Sequence, residues 1–291
     1  MSTLHSLEIF VSVYTTKNIT ETAKSFYCSQ PSVSRCIKDL EEEYHVPLFE
    51  RYHHKLLPTS FADTLYTHAS NVLNSYTNLQ HAMLTHNERL RIGSTVTISN
   101  SILPLFLKQY QAKYPSIRLE VTVSNGASIY QGILDNTLDI ALIENEVDTL
   151  EVNATPFDKD EMVLLVPNDH PFSKKKSILL EDLDHIPFLH REHGSAVRQY
   201  LDTIFDTYHI QVDTLWESRS THALINAVEN GLGVTILPMK MCEKDIKDHR
   251  ISVVTIDNIS LERNYYLTYA KEKKLTSSLV SFIDLCLSHH S

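Results

Sequence analysis

Glycine is scarce in this chain, with six in 291 residues, and neither the dinucleotide G-x-G-x-x-G nor a phosphate-binding P-loop can be assembled from them. Nucleotide hydrolysis and nicotinamide or flavin chemistry are thereby disfavoured. The four cysteines, at 28, 36, 242 and 286, include no C-x-x-C pair and fit a reducing compartment. No apolar run approaches the roughly 18–20 residues of a membrane span. The N-terminus, MSTLHSLEIF, lacks the basic-then-apolar order of a secretory signal, so the expected location is the cytoplasm. A basic excess is missing too. There are 26 Lys and Arg against 36 Asp and Glu, net −10, divided as 7 against 9 in residues 1–90 and 19 against 27 in 91–291. Bulk charge therefore gives no sign of nucleic-acid binding. Enzyme signatures are equally thin: no G-x-S-x-G, no H-E-x-x-H and no carboxylate pair at telling spacing, so no catalytic residue is assigned. Sixteen histidines invite a metal, but His53-His54 and His289-His290 are adjacent pairs without zinc-finger spacing. Neither metal nor cofactor is expected. A redox switch is disfavoured as well, with Cys242 and Cys286 expected in different lobes and Cys36 on a surface-reading helix.

What is present is length for more than one core, with 42 % hydrophobic and 21 % charged residues. The first sixty residues read as short helices. Leu4, Leu7, Phe10, Val11 and Val13 form an apolar stripe ending near Thr15-Thr16. Ile19, Ala23 and Phe26 form a second, capped by Asn18 or Thr20. Ser29 is then an N-cap, Pro31 sits in the first turn where it loses no hydrogen bond, and Val33, Ile37, Leu40 and Tyr44 mark a third buried face. Two helices joined by about four residues, with Gln30, Ser32, Ser34, Arg35 and Lys38 exposed, describe a helix-turn-helix. Residues 47–59 read as a hairpin wing.

From Ser60 to about Asn87 no proline or glycine interrupts one long helix. Leu65, Ala69, Val72, Tyr76, Leu79 and Met83 recur at heptad spacing. That predicts a dimer seam, the other reading being a helix packed on its own domain. Beyond Arg89, strands and helices alternate. Strands are expected at 91–98, 117–124, 139–144, 187–191, 213–217, 234–238, 251–256 and 265–271, with a further apolar run at 162–167. Helices are expected at 101–113, 127–136, 195–208, 220–230 and 276–287. Two strand–helix–strand sets in series predict two α/β lobes, each with a parallel sheet.

These residues resemble the LysR-type transcriptional regulators. The likeness rests on Phe10-Val11-Ser12-Val13, Thr22-Ala23, Ser29-Gln30-Pro31-Ser32-Val33-Ser34-Arg35, Ile37, Leu40-Glu41, Val46-Pro47-Leu48-Phe49-Glu50-Arg51 and Leu57-Pro58-Thr59. It continues through Leu90-Arg91-Ile92-Gly93, Tyr114-Pro115, Leu138-Asp139-Ile140-Ala141, Asp169-His170-Pro171 and the run from Val228 to Pro238. Thr22-Ala23 and Phe61-Ala62 depart from the family's alanine pair and alanine-glycine pair. The resemblance implies a multidomain α+β chain. A winged helix-turn-helix at 1–59 would be followed by a dimerising linker helix at 60–88 and an effector domain at 89–291 like the periplasmic solute-binding proteins. Lobe I would be 89–161 with 266–291, and lobe II 162–265. It also implies double-stranded promoter DNA and a small-molecule inducer as partners, autoregulation, and a homo-oligomer, a dimer of dimers.

A recognition helix entering the groove N-terminus first brings Gln30, Ser32 and Arg35 to base edges. Gln can grip adenine and Arg can fork onto guanine, each worth about 1–3 kcal/mol of discrimination. Ser29, Pro31, Ser34 and Lys38, with Arg51, His53 and Lys55 of the wing, complete the expected DNA-contacting set, largely through phosphates. In open α/β folds ligands sit at the carboxyl ends of strands. That places Ser94, Thr95, Thr97 and Ser99, then Asn125, Gly126 and Ser128, at a cleft. Arg191, His193, Gly194 and Ser195 come from the other lobe, with Ser218, Arg219 and Ser220 opposite. Hydroxyls, amide dipoles and two arginines favour a small anion, a carboxylate in particular. Helix capping is the plainer role for Ser99, Ser195 and Ser220. A solute-binding module whose helix-turn-helix makes protein contacts only is the other functional reading.

Overall fold

The computed structural model describes residues 3–52, 55–85, 88–144 and 150–290, with the backbone alone at 51, 52, 55, 78, 81, 82, 84, 85 and 290. The chain forms two units, Met1–Glu88 with Leu134–Thr137, and Arg89–Ile133 with Leu138–Ser291.

In the first unit, α1 (Leu4–Thr16) starts on a capping box of Thr3 and Ser6. Next, α2 (Ile19–Ser25) starts on Asn18, whose side chain accepts from the amides of Thr20 and Glu21. Ser29 caps α3 (Gln30–Tyr44) with Pro31 in its first turn. The strands β1 (Phe49–Tyr52) and β2 (Lys55–Pro58) pair antiparallel as the wing, and α4 spans Ser60–Thr85. Ile9, Phe10, Val13, Ala23, Val33, Ile37, Leu40, Leu48, Ala62 and Ala69 make one core. Tyr44, expected buried, is 41 % exposed, because the last turn of α3 runs past the edge of that core before His45 turns left-handed. Thr22 is fully buried, with its hydroxyl within 3.1 Å of Ser12 and 3.2 Å of Thr16. The buried hydroxyl is thus satisfied. Leu65 and Ala69 belong to this core, so the lower part of the heptad stripe packs on its own unit.

The second unit opens with β3 (Arg89–Ser94), α5 (Val96–Ser101), α6 (Leu103–Lys113), β4 (Arg118–Val123), α7 (Gly126–Leu134) and β5 (Ile140–Glu144). Then come β6 (Val152–Val166), β7 (Ser177–Ile178), β8 (Pro187–Arg191), α8 (Ala196–Tyr208), β9 (Asp213–Ser218) and α9 (Thr221–Glu229). It closes with β10 (Thr235–Pro238), α10 (Met239–Lys247), β11 (Ser252–Ile256), β12 (Glu262–Ala270) and α11 (Ser277–Leu287). Residues 96–98, expected as strand, are the first turn of α5; the strand ends at Ser94.

One eight-stranded sheet runs β4-β3-β5-β12-β6-β11-β7, with β10 also on β6, and β8 pairs β9 separately. Both lobes therefore depart from the wholly parallel sheets expected. β3, β4 and β5 are parallel, while β12 is antiparallel to β5 and β6, and β10 and β11 are antiparallel to β6. The cause is β6, a fifteen-residue strand that leaves one core and enters the other. It gives Phe157 to a core containing Leu90, Ile92, Phe106, Tyr265 and Phe282. It gives Met162 through Val166 to a core with Phe188, Leu201, Leu224 and Ile236. Gly233 lets β10 approach β8: a Cβ there would lie 2.7 Å from the Pro187 carbonyl oxygen, at a φ of +155°. Arg91, Asp139 and Lys273 tie the first lobe together, the arginine reaching Asp139 at 2.7 and 3.1 Å and the lysine at 2.6 Å. Burial pushes the Asp139 carboxyl up, but these cations prevail and hold it below the usual carboxylate range. Among the described residues no helix is long and apolar enough to cross a membrane.

Candidate functional site

At the helix-turn-helix, the Ser29 hydroxyl accepts from the Ser32 amide at 3.3 Å and lies 2.8 Å from the Ser32 hydroxyl, fixing the start of α3. Gln30, Pro31, Ser32, Arg35 and Lys38 are exposed along one side, while Val33, Ile37 and Leu40 are buried. Lys38 pairs with Glu42 one turn on, at 3.3 Å. Ser34 departs from expectation. It is half-buried and lines a small cavity with Val13, Ile37, Phe49 and Leu56, turned toward the wing. Spacing explains this, since 34, 37 and 41 share one face of the helix. Glu41 on that face accepts from the amides of Leu48 at 2.8 Å and Phe49 at 3.2 Å, so it anchors the wing's entry. Arg51 and Lys55 are placed only as strand positions, and His53 lies outside the described residues. One exposed group escaped the sequence reading: Tyr27, in the turn before α3, has φ of +51° and is 99 % exposed.

In the second unit a cavity of about 40 Å³ is lined by Thr95, Val96, Thr97, Ser124, Asn125, Gly126, Glu144, Arg191, Glu192, Ser195, Ala196 and Val197. About 10–15 Å³ holds one water, so the space suits a small molecule. The N-termini of α7 and α8 both open on it. Asn125 caps α7 through the Ser128 amide at 2.9 Å, and Ser195 caps α8 through the Arg198 amide at 3.1 Å. These caps leave earlier amides of each first turn for a ligand. Thr95, at the start of α5, makes no capping bond; its hydroxyl is buried and has no partner among the described residues.

Of the residues expected at this cleft, Thr95, Thr97, Asn125, Arg191 and Ser195 line it together, as does Gly126. Four do not. The Ser94 hydroxyl is fully buried and donates to the Thr95 carbonyl at 3.1 Å. Because α5 begins earlier than expected, Ser99 sits inside it, donating to the Val96 carbonyl at 2.9 Å. His193 is exposed, 3.6 Å from Glu217, and Arg219 is exposed outside the lining. Ser220 caps α9 through the Ala223 amide at 3.2 Å. Two acids went unread. Glu192 holds Arg191 with both oxygens, at 2.9 and 3.1 Å, while the remaining Nη1 donates to Thr221 at 3.0 Å. Glu144, ending β5, lines the cavity with its carboxylate buried. An acid closing an otherwise apolar strand at its carboxyl end was the available signal.

Cys242 and Cys286 lie buried in separate cores, and burial raises both thiols, that of Cys242 to about 12. Among the described residues no group of His, Cys, Asp and Glu is arranged to hold a metal.

A winged helix-turn-helix with an outward polar face, in one chain with a two-lobed α/β module that opens a small polar cleft, defines a ligand-responsive DNA-binding protein. Residues 4–63 match the bacterial regulatory helix-turn-helix model of the lysR family, and residues 85–291 match the LysR substrate binding domain. The HTH-type transcriptional regulator CysL of Bacillus subtilis (strain 168) is 31 % identical over 98 % of this chain and 96 % of its own. The HTH-type transcriptional activator CmpR of Synechocystis is 26 % identical over 99 % and 96 %. Among solved structures, full-length OxyR from Pseudomonas aeruginosa aligns over 99 % of this chain and 94 % of its own, with a TM-score of 0.67 at 21 % identity. The Synechocystis PCC6803 CcmR regulatory domain in complex with 2-PG covers 69 % of this chain and 97 % of its own, with a TM-score of 0.65 at 24 % identity. At such identities these two establish the fold alone.

The chain belongs to the LysR family of transcriptional regulators. It is a DNA-binding regulator with a small-molecule effector domain.

Proposed function

We propose that the protein reads promoter DNA through Gln30, Ser32 and Arg35 of α3 and is switched, without chemistry, by a small polar molecule carrying an anionic group in the Thr95–Ser195 cleft. The observation that carries this is the meeting of two capped helix N-termini and the unpartnered Thr95 hydroxyl at one cavity. Backbone amides at such termini hold anions well. Lobe I, 89–161 with 266–291, and lobe II, 162–265, would close on the molecule about β6 and β12. The outer face of α4, with Val72, Tyr76, Leu79 and Met83 exposed, would pair two copies. The CcmR domain, of the same fold, was solved in complex with 2-PG, which is in keeping with a small-molecule effector.

The test is a footprint of the full-length protein on DNA upstream of its own gene, against a panel of small carboxylates and oxyanions. Some panel member should alter the footprint of the parent and leave that of Ala196→Trp unaltered, since the indole fills the cleft. Absence of any protected site would refute DNA reading. A response that survives Ala196→Trp would refute the cleft, and a consumed panel member would refute the absence of chemistry.

A further inference from the structure

The cleft holds more acid than an anion site needs. Its charged lining residues are Glu144, Arg191 and Glu192, and the last two neutralise each other, with each nitrogen of the guanidinium donating one hydrogen bond within the protein. Glu144 has no such partner. Its side chain is wholly buried, and neither carboxylate oxygen is hydrogen-bonded among the described residues. Its near cation is Arg263, whose Nη2 lies 3.7 Å away but donates to Asp160 at 3.0 Å. Lys240 is taken by Asp158. Glu144, Asp158 and Asp160 are therefore three acids set against two bases, and Glu144 shares Arg263 with Asp160 at the longer distance and without a hydrogen bond. A buried carboxylate without a hydrogen-bond donor is costly, and an arriving cation with N–H donors relieves it. The same cavity offers the opposite chemistry through the first amides of α7 and α8 and the Thr95 hydroxyl. Its size admits only a few atoms between the two.

Resting on the reading of this cleft as the effector site, we infer that the effector is a small zwitterion of the α-amino acid class. Its carboxylate lies on the helix N-termini and Thr95, and its ammonium answers Glu144. A simple carboxylate would satisfy the first half and leave Glu144 as it is.

Calorimetry on the full-length protein at neutral pH uses three matched pairs: glycine and glycolate, L-alanine and L-lactate, L-serine and L-glycerate. Within each pair an ammonium is exchanged for a hydroxyl and the carboxylate is kept. At least one amino acid should bind about tenfold or more tighter than its hydroxy partner. Glu144→Gln should bring that pair within about threefold, and Ala196→Trp should abolish binding of both. The inference is overturned if hydroxy acids bind as tightly as amino acids, if the preference survives Glu144→Gln, or if no amino acid of the panel binds. Hydroxy-acid binding that Ala196→Trp removes would leave the cleft standing while the zwitterion falls. Binding indifferent to Ala196→Trp would refute the cleft itself. Circular dichroism checks that Glu144→Gln folds; should it not, the matched pairs on the parent decide alone.

Discussion

Arg35 is exposed on α3, and it makes no hydrogen bond or ion pair among the described residues, so nothing in the fold requires it. Lys38, one turn on, already has Glu42. The two should therefore respond differently to truncation. Arg35→Ala should keep the folding midpoint and lose about 1–3 kcal/mol of preference for its operator over scrambled DNA. Lys38→Ala should weaken both DNAs alike. Equal loss on both DNAs for Arg35→Ala, read by gel shift, would remove it from base reading. His190 carries a prediction of another kind. It is buried between Phe188 and Phe205, its Nδ1 without a partner among the described residues. Burial, and then the Arg198 charge, lower its pKa to about 4. The unfolded ring titrates near 6.5. Its contribution to stability is thus complete above about pH 6.5 and is lost as pH falls toward about 4, because the unfolded chain takes the proton first. His190→Phe should flatten that part of the stability curve in thermal melts; a decline parallel to the parent's would contradict the assignment.

At the scale of elements, α4 shows how far periodicity reaches. The heptad pattern from Leu65 to Met83 identified a helix, yet it could not divide one face between two partners. Leu65 and Ala69 pack on their own core, whereas Leu79 is 55 % and Met83 66 % exposed. Leu79→Asp should therefore lower the oligomeric state in sedimentation without lowering the melting temperature, and weaken operator binding that depends on two half-sites. An unchanged sedimentation coefficient would exclude the upper stripe as the seam. The helix-turn-helix was legible because turn chemistry and periodicity agreed at Asn18, Ser29 and Pro31. The start of α5 was not, since Val96, Thr97 and Ile98 favour strand by propensity and tertiary context overrode it. Only the apolar end of β6 stood out, because Asn153 through Asp160 are mostly polar, along a strand shared by two cores. α10 went unread because its mainly charged turns bury little more than Cys242 and Asp245. In the cleft, hydroxyls near strand ends were readable by fold logic. Sequence could not show that Glu192 occupies Arg191, or that Glu144 is short of a partner, because both depend on side-chain geometry across β5, β8 and β12.

The whole molecule carries an exposed reading helix and a cleft between two lobes on one chain. Cleft occupancy can alter DNA binding only through differential affinity for two arrangements of the protein, and such coupling runs equally in both directions. Typical coupling is about 1–3 kcal/mol, or about 5–150-fold in affinity. The most direct measurement is the affinity of the footprint-altering ligand for the full-length protein, determined by calorimetry with and without saturating operator DNA. The account predicts that the two affinities differ by about fivefold or more, by the same factor as the ligand changes operator affinity, and that scrambled DNA produces no such difference. Identical ligand affinity with and without operator would contradict it.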